Sequence, residues 1–121
     1  MGLTDWLARQ AVRRCSVLLV EMPGGWRSRV YAERCVGGRG WHLADSPAGA
    51  DMLVICGQLP PELEDSVEAV WEQLPGPRVR ISLAPDETQQ GVVAAVEAAL
   101  PRLRDMAGQR EDAAGRMLPE G

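Results

Sequence analysis

Cysteine and histidine side chains offer the widest chemistry in this sequence, and both are scarce: three cysteines and one histidine occur among 121 residues. An odd number of widely spaced cysteines suits reduced thiols better than a disulfide framework. Cys15 begins an apolar run, Cys56 ends one and Cys35 lies in a predicted helix, so we expect three small apolar core residues. His42 has no second metal-binding residue at ligand spacing, which favours a half-buried strand histidine over a base or a ligand.

The basic residues exclude several kinds of catalysis, because all thirteen of them are arginine. A Schiff-base lysine, a P-loop lysine and a lysine general base are therefore impossible. A net charge of −4 and a pI near 5.0, without a basic stripe, argue against nucleic-acid binding. The sequence also contains no recognisable nucleophile–base pair or metal triad, so it does not indicate an independent enzyme.

The segment Glu21–Trp26 is the clearest candidate for ligand binding. Gly24 and Gly25 precede a predicted helix, where backbone N–H groups could bind an anion such as a phosphate of a cofactor. We favour the alternative of a tight strand-to-helix turn, because neither a GxGxxG nor a GK[ST] pattern is present. Glu21 is the third cofactor-binding candidate, but a single carboxylate does not form an acid/base pair.

Four apolar segments and the helices between them must position these residues. Residues 15–20 and 51–56 are continuous apolar runs, typical of parallel strands buried on both faces. Residues 41–45 and 78–83 predict two further strands. Helices are predicted over residues 3–13, 27–36, from Pro60 to Leu74, and from Glu87 to Met106, with Pro101 expected to kink or split the last one.

This order predicts a small three-layer, flavodoxin-like α/β domain with a mostly parallel four-stranded sheet and helices on both faces. The domain is expected to span residues 1–107, and residues 108–121 to form a flexible tail. The late Arg13 and Arg14 reverse the charge order of a secretory signal, and no apolar run approaches membrane-spanning length. We therefore expect a cytoplasmic chain whose contact with a membrane, if any, is peripheral at the inner face of the cell membrane.

Ligands of such sheets bind beyond the carboxyl ends of the strands, where Met22 and Trp26 could also cover a partner surface. The other tryptophans, Trp6, Trp41 and Trp71, are expected to pack in the core. The acidic run from Glu62 to Glu72 predicts a solvated helix face.

Three blocks of the chain are similar to the small, cluster-bearing subunit of NADH:quinone oxidoreductase and of nickel–iron hydrogenases. They are RCSVLLVEMPGG (14–25), DSPAGADMLVICG (45–57) and WEQLPGPRVRIS (71–82). In that family a strand runs into a cysteine-bearing loop, a Ser-Pro…Ala-Asp segment leads into a buried strand, and a helix and a Pro-x-Pro follow. The resemblance covers roughly residues 14–100 and implies an oxidoreductase complex.

The chain departs from the family where the cluster would be held. The family's first two cluster cysteines would fall in the loop after Val20, where this chain has Pro23–Arg27. The segment with the later two is missing between Leu83 and the last helix. A [4Fe–4S] cluster needs four thiolates, so no cluster and no other cofactor is expected.

The resemblance implies a non-catalytic accessory, assembly or interaction protein with a degenerate iron–sulfur site. Its partner would be a large hydrogenase or dehydrogenase subunit, docked near Met22, Trp26, Pro85 and Asp86. The alternative is a flavodoxin-like domain that binds a small molecule or nucleotide at Gly24 and Gly25.

Overall fold

The computed structural model describes the backbone of residues 15–117 and the side chains of residues 15–105. The predicted helix over residues 3–13 lies outside this range. Strands and helices follow in the order β-α-β-β-α-β-α. They are β1 Ser16–Glu21, α1 Trp26–Gly38, β2 His42–Leu43, β3 Met52–Cys56, α2 Glu64–Gln73, β4 Val79–Leu83 and α3 Gln89–Met117, with short 3-10 turns at Pro47–Gly49 and Pro61–Leu63.

The four strands form one sheet in the order β2-β1-β3-β4, and every neighbouring pair is parallel. The central pair runs in register from Val17 beside Met52 to Glu21 beside Cys56. The predicted α/β class and parallel sheet are therefore confirmed. The strand order is that of the first four strands of a flavodoxin-like sheet, which begins 2-1-3-4.

Both faces of the sheet are buried, which is why the strands are continuous apolar runs. All five residues of β3 are buried. Met52, Val54 and Cys56 pack in one core cluster, whereas Leu53 and Ile55 pack in a second cluster on the opposite face. The period of two along a strand distributes consecutive side chains between the two cores.

The helices form the two outer layers. One face of the sheet is covered by α1 and α3, which contribute the buried residues Ala32, Cys35, Val36, Val92, Val96, Ala99, Leu100 and Leu103. The other face is covered by α2, through Val67 with Val70 and Trp71 packed against the same core. Within the described part of the chain, no helix is long and apolar enough to cross a membrane.

The strand predicted over residues 41–45 is much shorter than expected, because only His42 and Leu43 pair with β1. Trp41 is buried in the core before the strand begins. As β2 is an edge strand, no element among the described residues pairs with its outer side, and His42 is exposed instead of half-buried as predicted.

The last helix is longer than predicted. It includes Pro101 without being split and continues beyond Met106 to Met117. Residues 107–117 have no apolar stripe, which is why the sequence pattern ended the helix early, but they are rich in alanine, arginine, glutamine and glutamate, which favour helix intrinsically. The predicted tail is thus helical from residue 108 to Met117, and its flexibility stays a prediction.

Candidate functional site

The loops that follow β1, β3 and β4 are joined by main-chain hydrogen bonds. The Met22 N–H donates to the Cys56 carbonyl at 2.8 Å, and the Gly57 N–H donates to the Leu83 carbonyl at 2.9 Å. These bonds lie at the carboxyl edge of the sheet, where parallel α/β proteins usually bind ligands. The main chain at Met22 and at Gly57 therefore lies directly beyond the ends of β1 and β3, where a ligand would otherwise bind.

Gly24 and Gly25 each have a structural reason to be glycine. Gly24 has a φ of +75°, and the Gly25 N–H donates to the Met22 carbonyl at 2.9 Å, which is the pattern of a type II turn with Pro23 before the glycine. A Cβ built on Gly25 would lie 1.9 Å from the Cys56 carbonyl oxygen. The turn thus fits the strand-to-helix interpretation, and the Gly25 N–H is already used.

Glu21 belongs to a row of charges on the surface of α1. Its carboxylate lies 3.9 Å from Nε of Arg29, and the same Nε donates to Glu33 at 3.1 Å. One guanidinium therefore lies between two carboxylates. This arrangement gives Glu21 a structural role at the end of β1.

The three cysteines are free thiols buried in the same core cluster. Cys15 and Cys56 have no exposed surface, and Cys35 is 7% exposed. None of them lies in a loop at the carboxyl edge of the sheet. Across residues 15–105, no group of three or more histidine, cysteine, aspartate or glutamate side chains could hold a metal ion.

Two of these thiols are strongly biased toward their protonated form. Burial raises the pKa of the Cys15 thiol from 9.0 to about 12, and the Asp51 carboxylate adds to the rise. Burial also raises the pKa of the Cys56 thiol from 9.0 to about 11, although the nearby Arg29 opposes the shift. Thiolate is the form that attacks electrophiles and ligates metals, so both groups act as apolar core residues at neutral pH.

The predicted partner residues divide between the core and the surface. Met22 is only 4% exposed and packs in the α2-side core, so its prediction as a surface residue is wrong. The main-chain bond to Cys56 turns its side chain inward. Trp26 is 59% exposed at the start of α1, with the Arg27 guanidinium 5.5 Å from its ring centroid. Pro85 and Asp86 are exposed after β4.

Sequence reasoning missed a cleft of about 350 Å³ between α2 and the carboxyl halves of β3 and β4. Its lining combines apolar and charged side chains: Ile55, Leu59, Glu64, Val67, Glu68, Arg80 and Ser82. The signal for it was the spacing of the glutamates along α2 and of the two arginines at the start of β4. The prediction of a solvated face for the acidic run is confirmed, since all five of its acidic side chains are exposed.

Charged pairs connect α2 to β4 beside this cleft. Arg80 donates to Glu68 at 2.8 Å, and Arg78 lies 4.0 Å from Glu72. Both guanidinium groups also lie over the ring of Trp71, at 4.2 Å for Arg78 and 4.9 Å for Arg80. Trp71 is thus half-buried under two cations, which differs from the purely apolar packing expected for it.

Comparison with protein-family models and with curated proteins finds no match to the chain.

Replacing Gly25 by alanine should destabilise the protein by more than about 2 kcal/mol, because the new Cβ would collide with the Cys56 carbonyl. Gly24→Ala should cost about 1 kcal/mol through its positive φ. Gly37→Ala, where a Cβ meets nothing within 4 Å, is the matched control and should be neutral or stabilising by about 0.5–1 kcal/mol. Urea denaturation measures all three, and equal effects at Gly25 and Gly37 would contradict the close approach.

The two shifted thiols predict a loss of stability in alkaline solution. Below pH 9 they are protonated in both the folded and the unfolded chain, so their contribution is complete. Between pH 9.0 and about 11 the unfolded chain releases protons that the folded protein retains, so the free energy of unfolding should fall by about 1.4 kcal/mol per pH unit for each thiol.

Urea denaturation from about pH 8 to about pH 11 measures this slope. The double variant Cys15→Ala with Cys56→Ala is the control, because other titrating groups remain in it. Its stability should decline less steeply than that of the unchanged protein. Parallel slopes would mean that the thiols ionise in the folded state.

Proposed function

We propose that this protein is a non-catalytic accessory, assembly or interaction subunit of a hydrogenase-like or NADH:quinone oxidoreductase-like electron-transfer complex. It carries no iron–sulfur cluster of its own, and it acts in the cytoplasm or peripherally at the inner face of the cell membrane. The observation that carries this proposal is that the three cysteines are buried in the core and that none of them is a residue of the loops that would hold a cluster.

Residues 14–100 resemble the cluster-bearing small subunits, and this resemblance supports the proposal. In that family the loop after the first strand supplies cluster thiolates. Here the corresponding loop is Pro23–Arg27, whose glycines serve a turn and a backbone contact. The strand scaffold is retained, while the ligand positions have been replaced by residues with a purely structural use. A domain of this kind can still present a surface to a large subunit.

Exposed side chains at the carboxyl edge supply the proposed contact surface. Trp26 presents more than half of its surface to solvent, beside Arg27. Pro85 and Asp86 are exposed in the loop after β4. Tryptophan and arginine are the residue types most enriched at the energetic centres of protein interfaces, so Trp26 is the proposed anchor.

A nucleotide-binding or small-molecule-binding domain is the less well supported function. Such a domain would need free N–H groups at Gly24 and Gly25 to bind its ligand. The Gly25 N–H, however, already donates to the Met22 carbonyl. A ligand at a hundred times its dissociation constant adds about 2.7 kcal/mol of stability. Thermal denaturation with a panel of flavins and nucleotides therefore distinguishes the two functions, and the accessory role requires no shift with any of them.

Reconstitution tests the cluster-less part of the proposal. The pure chain, incubated anaerobically with iron and sulfide and then desalted, should retain neither element in stoichiometric amounts, because its three thiols are buried and burial raises the pKa of Cys15 and Cys56. Iron and sulfide analysis with visible absorbance measures the outcome. About four irons and four sulfides per chain, the content of a [4Fe–4S] cluster, would refute the proposal.

Substitution of Trp26 tests the partner surface. In a pull-down from native cells, the unchanged chain should retain a large hydrogenase or dehydrogenase subunit, and Trp26→Ala should weaken this retention at least about tenfold. Leu43→Ala is the matched control, since Leu43 is also an exposed apolar side chain, at 42%, but lies on the edge strand β2. Equal loss in both variants would rule out a specific anchor at Trp26.

A further inference from the structure

The charged pairs between α2 and β4 follow one another at a regular spacing. We call this row of pairs the ladder and each pair a step. Glu72 and Glu68 pair with Arg78 and Arg80, so a step of four residues along the helix matches a step of two along the strand. Four helical residues rise about 6 Å and two strand residues about 6.6 Å, so the two spacings agree. The helix and the strand run in opposite directions, because α2 connects two parallel strands.

The next step of the ladder brings Glu64 and Ser82 together. Both residues line the cleft between α2 and the end of β4. Where the first two steps have an arginine, the third has a serine. Within the described part of the chain, Glu64 has no ion-pair partner. The third step, Glu64 with Ser82, therefore has an anion but lacks the cation of the other two.

The cleft at this third step suits a long basic side chain. Its volume of about 350 Å³ exceeds that of one side chain, and Ile55, Leu59 and Val67 form an apolar lining. Lysine and arginine bury their aliphatic stems against such surfaces while the charged end remains near water. The carboxylates of Glu64 and Glu68 and the hydroxyl of Ser82 supply acceptors for that end.

The outer edge of β4 beside the cleft also has no main-chain partner among residues 15–117. The Val79 N–H donates to Asp51, and the Leu83 carbonyl accepts from Gly57, so the odd-numbered residues of β4 bond toward β3. In a parallel strand the backbone groups of alternate residues point the other way. The N–H and C=O groups of Arg80 and Ser82 consequently face the outer edge, because β4 is the last strand in the sheet.

We propose that the outer edge of β4 binds an extended segment of a partner protein that carries an arginine or lysine. The segment adds a fifth strand through the main-chain groups of Arg80 and Ser82. Its basic side chain enters the cleft, pairs with Glu64 and completes the ladder. A strand addition supplies affinity through the main chain and specificity through alternate side chains, and both elements are present at this edge.

Charge complementarity favours a basic segment over an acidic or purely apolar one. Glu72 and Glu68 already neutralise Arg78 and Arg80, and among the described residues the cleft itself is left with one carboxylate without a cation, that of Glu64. The inference goes beyond the proposed function, since it concerns a different surface and does not depend on the identity of any complex. If it fails, the pull-down through Trp26 is unaffected.

Ser82→Arg tests the third step without any partner. An arginine at this position should reach Glu64 and raise the melting temperature by about 2–4 °C, as expected for one additional ion pair of moderate strength in a domain of this size. Glu64→Gln added to Ser82→Arg should remove that gain. An unchanged or lowered melting temperature in Ser82→Arg would show that the cleft does not take a guanidinium group.

A synthetic strand tests the binding itself. The probe is the capped peptide Thr-Val-Thr-Val-Arg-Val-Thr-Val-Thr, titrated into the isotopically labelled full chain and followed by nuclear magnetic resonance. The amide signals of Arg80 and Ser82 should shift. Replacing the peptide's arginine by neutral citrulline, or Glu64 by glutamine, should weaken binding about 3- to 5-fold.

Two changes to hydrogen-bond donors test whether the main chain carries the contact. Ser82→Pro removes an N–H that faces outward and should abolish binding, whereas Ser82→Ala keeps that N–H, loses only the hydroxyl acceptor and should weaken binding by no more than about tenfold. A peptide N-methylated at alternate amides removes the opposing donors and leaves the protein unaltered, so it covers the case in which Ser82→Pro does not fold.

Several outcomes would overturn the proposal. These are equal binding of the arginine and citrulline peptides, unchanged binding of the N-methylated peptide, or an absence of shifts at Arg80 and Ser82. Agmatine bound as tightly as the peptide would indicate a site for small cations instead. A dimer in sedimentation that Ser82→Pro abolishes would assign the edge to a second copy of this chain.

Discussion

The contact between Gly25 and the Cys56 carbonyl is the constraint on which the arrangement of the carboxyl edge depends. It allows the main chain after β1 to lie directly on the end of β3, where the Met22 N–H donates to the same carbonyl. That position fixes where α1 begins and therefore which of its residues reach the core. A side chain at residue 25 would force the loop away from β3 and open the space that parallel α/β proteins use for ligands.

Burial of the thiols follows from the same layering. Cys56 lies on a strand whose two faces are both covered, Cys15 directly precedes such a strand, and Cys35 lies on the inner side of α1. A sulfur in such a place gains from apolar packing and loses the access that metal ligation or nucleophilic attack requires. The burial that stabilises the sheet therefore also withholds its cysteines from metal ligation and nucleophilic attack.

The sequence was sufficient for β1, β3 and β4 and for the role of the glycines, but not for the length of β2 or for contacts between elements. Residues 51–56 are apolar at every position but the first, which predicts burial on both faces whatever the neighbours are. The inward turn of Met22 depends instead on a hydrogen bond to β3, and the exposure of His42 on the position of β2 at an edge. The cleft beside Ser82 depends on the registration of α2 against β4, which no local pattern specifies.

Edge strands need protection from uncontrolled pairing, and charged side chains are a common means of providing it. Arg78, directly before β4, and Arg80 within it place charged side chains along this strand. Glu72 and Glu68 neutralise them, and Trp71 packs beneath both guanidinium groups. Ser82 interrupts the protection at one end, where the small side chain leaves a cleft and one carboxylate without a cation. In the proposed strand addition, this open position is where a partner's basic side chain enters, so pairing would depend on the partner's side chains as well as on its main chain.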